Sequence, residues 1–146
     1  MGKEIDYPPV WLAAFAAIGG VIGQFIPVET PANSILGAIL VALGLTLMIV
    51  AAVQMMLART SVIPRRDPRA LVRSGVFRFS RNPIYLADAI VLAGLYLAWD
   101  ALIALPLVAV FMITIKRRFI LGEESRLSRV FGEAYLQYME RTRRWL

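Results

Sequence analysis

Arg81, Asn82 and Tyr85 surround a proline in the stretch Ser80-Arg81-Asn82-Pro83-Ile84-Tyr85, where an arginine-rich loop runs into an apolar segment. Proline suits the first turn of a helix, where its missing N–H removes no bond. Arg81 and Asn82 then stand just ahead of a helix whose first N–H groups lack partners, and such an end attracts anions. Tyr85 falls in the first turn, an aromatic ring with a polar tip at the depth of a membrane interface. The same stretch also reads as plain punctuation of a membrane helix: a cationic flank, a proline start and an interfacial tyrosine.

A second candidate is the pair Glu123-Glu124. From there the apolar residues Leu127, Val130, Phe131, Ala134, Tyr135 and Tyr138 form a helical stripe. Arg126, Arg129, Glu133, Gln137 and Glu140 turn away from it, whereas Glu123 and Glu124 flank it. Two carboxylates bordering a buried face are costly without a partner. Their other reading is structural: after Gly122 they occupy a first turn, where acids favour the helix dipole. Asp88 lies about one and a half turns into the helix begun by Pro83. An acid at that depth faces protein or water, so it is expected to pair with an arginine of the adjacent loop or to snorkel to the interface.

The 146 residues contain no Cys and no His. Thiol nucleophiles, disulfides and the commonest general base and metal ligand are thereby excluded, and no metal site is expected. Any chemistry runs on the remaining polar side chains or on a bound cofactor. The chain is 59% hydrophobic yet carries a net charge of +6, and its mean hydropathy is +0.67. Long uncharged runs separated by basic segments mark a polytopic membrane protein.

These runs define the elements that position the candidate residues. Four transmembrane helices are predicted in one membrane domain spanning 1–146, at 10–26, 35–57, 83–99 and 101–115. The segments 58–82 and 116–146 are expected to be cytoplasmic. No cleavable signal is expected at the N-terminus. Gly19 and Gly23 form a small-xxx-small pair on the first helix, suited to close approach of another helix and to a homo-oligomer. Ser34 is positioned to cap the second helix. The last two spans read as a tight helical hairpin turning at Asp100, which is placed to cap the fourth; a re-entrant pair is the alternative. Lys116-Arg117-Arg118 ends the fourth run, and a charged amphipathic helix follows. With four spans, all sixteen Lys and Arg residues lie on one side. The positive-inside rule therefore puts both termini in the cytoplasm, in a membrane expected to be a prokaryotic inner membrane.

Taken together, these words resemble the isoprenylcysteine carboxyl methyltransferase and phospholipid methyltransferase superfamily of small integral-membrane enzymes. The resemblance runs through Leu71-Val72-Arg73-Ser74-Gly75-Val76-Phe77, then Arg81-Asn82-Pro83-Ile84-Tyr85-Leu86, Gly94 and Glu123-Glu124 with Leu127. It continues in Phe131-Gly132-Glu133-Ala134-Tyr135-Leu136-Gln137-Tyr138 and Arg143-Arg144-Trp145. It implies S-adenosylmethionine (SAM) as cofactor, held by Gly75, Arg81, Asn82, Pro83, Tyr85, Glu123, Glu124 and Tyr135, with a lipophilic acceptor entering from the bilayer. Arg81 and the helix start suit the SAM carboxylate, Glu123 or Glu124 its ammonium, and Tyr85 and Tyr135 the adenine or the sulfonium. Many relatives have His where this chain has Asn82. The Gly-x-Gly that some phospholipid methyltransferases carry before the loop is missing around Leu57-Ala58-Arg59.

The acceptor is expected to be an isoprenylcysteine-type carboxylate or a lipid amine; nucleic acid is not an expected partner. Two rival readings are an NADPH-dependent reductase of the sterol-reductase type and a non-catalytic scaffold whose basic loop binds anionic lipid.

Overall fold

The computed structural model describes residues 6–146, and among them every regular element is helical. Helix α1 spans Pro8–Phe25 and α2 spans Asn33–Leu57; both are long and apolar enough to cross a membrane. Their apolar side chains are mostly turned outward, as with Ile35, Ile39, Leu43 and Ile49 of α2. Packing inside a soluble core would hide such residues, so this surface suits lipid. A loop follows, with one 3₁₀ turn at Gly75–Arg78. Then come α3 (Pro83–Ala98), α4 (Pro106–Ile115), α5 (Leu121–Phe131) and α6 (Glu133–Arg141).

Helix α3 is the hub. Ten of its residues are buried, between α2 on one side and α1 and α4 on the other. On the α2 side the backbones nearly touch. A Cβ at Gly94 would lie 2.8 Å from the Gly37 carbonyl oxygen, and one at Gly37 would lie 2.6 Å from the Gly94 carbonyl. Apolar helices that gain nothing from leaving lipid associate through such close packing. On the other side the core is aromatic: Phe15 meets Phe111 edge-on at 5.5 Å, and the Tyr96 hydroxyl donates to the Phe15 carbonyl at 2.7 Å. Gly19 and Gly23 face Tyr96, Trp99 and Ala101 within the chain.

Four local expectations are corrected. Helix α2 starts at Asn33, so Ser34 already lies inside it and Ala32 occupies the cap position. Asp100 does not cap α4. It adopts φ +55 and accepts from Asn33 Nδ2 at 3.0 Å, while its carbonyl accepts from Val28 N at 2.8 Å. It ties the turn after α3 to the turn before α2. The link to α4 is correspondingly longer, and a 3₁₀ turn at Leu102–Ala104 fills it before Pro106 starts the helix.

The basic triplet Lys116-Arg117-Arg118 does not stop the fourth helix either. It continues through a π turn at Lys116–Ile120 directly into α5, with helical dihedrals at Ile115, Lys116, Ile120 and Leu121. Glu123 and Glu124 therefore do not sit at a free helix end, and the dipole reading of their position loses its basis. Finally, the tail is two helices rather than one. Gly132 adopts φ +49, ψ −122, a conformation that a side chain disfavours, and the chain turns there between α5 and α6.

Candidate functional site

A cavity of about 640 Å³ opens beside the N-terminal end of α3. Its walls come from the start of α1, the later half of α2, the 58–82 loop, the first turns of α3, and both tail helices. Much of the wall is apolar, including Met48, Met55, Leu71 and Phe77, and the charged side chains on it are Arg65, Arg66, Arg81, Asp88, Glu123 and Arg126. That is the composition of a small-molecule site.

The local sequence explains how α3 presents its end to this space. Pro83 is the first helical residue and Asn82 precedes it in a non-helical conformation without a capping side-chain bond. Asn82 instead donates from Nδ2 to the Arg144 carbonyl at 3.0 Å, and Arg81 N donates to the Arg143 carbonyl at 3.0 Å. The C-terminal segment thus straps the residues ahead of α3. Thr142 Oγ1 and the Tyr138 hydroxyl extend the strap to the carbonyls of Arg78 and Phe77.

Arg81 is the most informative side chain. Only 10% of it is exposed, and Nη2 lies 3.3 Å from Glu124 Oε1. Its Nε and Nη1 are buried with no hydrogen-bond partner among the described residues. Buried donors on a guanidinium are rarely left unpaired, because each forfeits its bond to water. They lie at the start of α3, on a residue that lines the cavity, and seek an acceptor.

The two glutamates divide. Glu123 lines the cavity and accepts from the Tyr85 hydroxyl at 2.6 Å. Burial pushes its carboxyl above the usual carboxylate range, against the lowering effect of the Tyr85 bond and the charges of Arg126 and Arg65. Glu124 points behind the wall. Its two oxygens accept from Arg144 Nε and Nη2, both at 2.8 Å, in a fork-to-fork pair that also raises Arg144 above its ordinary value. Glu124 thereby anchors the C-terminal strap and Arg81 together. Tyr135 is 1% exposed and packs against Tyr138, and burial pushes its hydroxyl up to about 12.

Of the residues singled out in the sequence, Arg81, Asn82, Pro83, Tyr85 and Glu123 meet at the cavity. Glu124 and Tyr135 stand one layer behind it, and Gly75 lies outside it. Gly75 has φ +58, and a Cβ there would collide with the Gln54 side chain, whose Oε1 accepts from Val76 N at 3.2 Å. It fastens the loop to the end of α2. Arg126, expected to turn outward, lines the cavity, and so do Arg65, Tyr138 and two of the three α2 methionines, Met48 and Met55. Asp88, 5% exposed, also lines it. The arginine partner expected for Asp88 is absent among the described residues, and its carboxylate makes no hydrogen bond there.

Arg65 was hidden in a run of arginines. Its guanidinium donates to the Asp6 carbonyl at 2.9 Å and to the Asp6 carboxylate, and it lies over the Phe119 ring at 5.1 Å. Bonds from Trp11 and Arg65 hold the Asp6 carboxyl below its ordinary range. This latch joins the loop to the residue ahead of α1 and to the π turn.

No curated protein and no solved structure matches the chain. A family model described as phospholipid methyltransferase matches residues 32–134, from the start of α2 into α6. That match takes in most of the elements that wall the cavity, and with the outward-facing apolar helices it identifies a membrane protein. The chain belongs to the phospholipid methyltransferase family.

Proposed function

We propose that this protein is an integral-membrane methyltransferase that uses SAM to methylate a lipophilic acceptor. The observation that carries the reading is that Arg81, with two buried donors unpartnered among the described residues, lines the same cavity as Glu123. An amino-acid moiety needs a cation and N–H groups for its carboxylate and an anion for its ammonium. Arg81 with the start of α3 suits the first and Glu123 the second. SAM, when bound, supplies an electrophilic methyl group on a sulfonium. The chain's contribution is to orient the cofactor, exclude water through the Met48, Met55 and Phe77 walls, and admit the acceptor. None of this needs His or Cys.

The same reading places four crossings in the bilayer with both termini and the cavity on the cytoplasmic side. Sixteen residues of α3 rise about 24 Å, close to the roughly 30 Å of a hydrocarbon core. The fourth crossing is completed by the helical turns on either side of α4. A thermal melt of the purified protein in detergent tests the cofactor. SAM and its demethylated product at a hundredfold excess over their dissociation constants should each add about 2.7 kcal/mol. A shift with NADPH and none with SAM or its product would replace this reading with that of a reductase.

A further inference from the structure

Helix α2 is stopped by an arginine where glycine is usual. Arg59 N donates to the Met56 carbonyl at 2.9 Å and Thr60 N to the Met55 carbonyl at 3.0 Å, the paired bonds of a Schellman stop. The left-handed residue in that stop is Arg59, at φ +55, a conformation glycine adopts at less cost. Two other described residues besides glycine have positive φ, and the side chain of each is tied down: Arg65 to Asp6, and Asp100 to Asn33. Arg59 is exposed, and its guanidinium makes no ion pair among the described residues.

Arg59 lines a second cavity, of about 570 Å³, with Thr60, Ser61, Arg66, Asp67 and Arg69. The loop closes around it where Thr60 Oγ1 accepts from Arg69 N at 3.2 Å. Three guanidinium groups share this space with one carboxylate, and Asp67 also faces Arg129 at 3.5 Å. The cavity therefore holds a surplus of positive charge. It also lies at the membrane edge. The 25 residues of α2 rise about 37 Å, more than the roughly 30 Å of a hydrocarbon core, so Arg59 reaches the headgroup layer. Just ahead of it, Met56 and Leu57 present exposed apolar side chains.

We infer that this second cavity binds the headgroup of an anionic phospholipid whose acyl chains lie along Met56 and Leu57. Guanidinium groups pair with phosphate oxygens through two parallel bonds. A lipid meets both the arginines and the apolar helix end, whereas a free phosphate meets only the arginines. A zwitterionic headgroup would bring its own cation against Arg59, Arg66 and Arg69, so it is disfavoured. Thr60, Ser61 and Arg66 also line the larger cavity, so a lipid held here braces the loop that walls it.

The test uses the full chain in neutral detergent without SAM. Dioleoyl phosphatidylglycerol, dioleoyl phosphatidylcholine and inorganic phosphate are titrated in turn, and binding is read from the rise in melting temperature. Phosphatidylglycerol offers no amine, thiolate or carboxylate to methylate, so it does not report the acceptor site. Wild-type protein should bind it at least about tenfold more tightly than either other probe. Arg59→Gly should melt at or above the wild-type temperature without lipid, yet bind phosphatidylglycerol roughly fivefold more weakly. Arg59→Gln with Arg69→Gln should lose on the order of tenfold or more. Arg117→Gln with Arg141→Gln removes as much exposed charge away from the cavity and should bind like wild type. Phosphatidylcholine or inorganic phosphate binding wild type as tightly as phosphatidylglycerol would overturn the inference, and this needs no variant to fold. So would an equal loss in the Arg117 and Arg141 pair, since bulk charge would then account for the binding. With no SAM present, the result stands apart from the methyltransferase reading.

Discussion

Helices α2 and α3 meet twice, and the two meetings are built on opposite terms. Toward the far side of the molecule they form a closed seam of small residues: Gly37 against Gly94 and Ala98, and Gly44 against Val91 and Ala87. Toward the loop side, the same two helices carry Met48, Met55, Tyr85 and Asp88 around a cavity of about 640 Å³. The seam has no side chain to spare and no unpaired polar group. The cradle has bulk, charge and unpaired donors. The seam pins α3, and the cradle uses the pinned end of α3 to hold chemistry. Rigid support beneath a polar site is what binding a charged ligand requires.

The comparison breaks first at the seam. Gly94→Leu adds a side chain where even a Cβ meets the Gly37 carbonyl at 2.8 Å. It should cost about 3 kcal/mol, lowering the melting temperature and the folded yield. Gly122→Ala is the contrast: nothing lies within 4 Å of the added Cβ, so the α5 helix should be unchanged or stabilised by about 0.5–1 kcal/mol.

At the cradle, Arg144→Ala removes the fork that occupies both oxygens of Glu124. We expect a loss of about 1.5 kcal/mol in a thermal melt, since Arg144 is partly solvated. The freed Glu124 should then compete for Arg81, so SAM affinity should fall as well. A stability loss with SAM affinity intact would separate the strap from the cofactor.

The subtlest effect concerns Glu123. Burial raises its folded pKa above the 4.5 of a free glutamate, so the folded state holds the proton more tightly than the unfolded chain. Its contribution is therefore least harmful at or below about pH 4.5 and turns against folding as pH rises through the raised value. Glu123→Gln should melt higher than wild type at pH 8, by on the order of 2 °C without ligand, and the difference should shrink on acidification. The same variant should bind SAM poorly, trading function for stability at one atom.

How much of this was readable follows the range of each interaction. The start of α3 was legible because proline, asparagine and an arginine-rich flank act within a few residues. The convergence of Arg81 with Glu123 was legible from topology, since the hairpin of α3 and α4 returns the chain to the end where it began. The break at Gly132 carried a signal, a glycine inside an apolar stripe, but the stripe's period hid it. The π turn carried none, because Lys116-Arg117-Arg118 reads as a membrane flank whether or not the helix goes on. The division between Glu123 and Glu124 was not legible. It depends on Arg144, twenty residues beyond Glu124, folding back as a strap. Arg126 was assigned outward on an ideal 100° per residue, and the structure turns it onto the cavity wall.

The central claim is that Arg81 and Glu123 together hold the amino-acid end of SAM. Isothermal titration of SAM into wild type, Arg81→Ala and Glu123→Gln tests it most directly. Removing one partner of a desolvated charge pair costs about 2–5 kcal/mol, so each variant should bind roughly 30-fold to several-thousandfold more weakly. Glu133→Gln, exposed on the outer face of α6, should bind like wild type. Wild-type affinity in both Arg81→Ala and Glu123→Gln would contradict the assignment of this cavity to SAM.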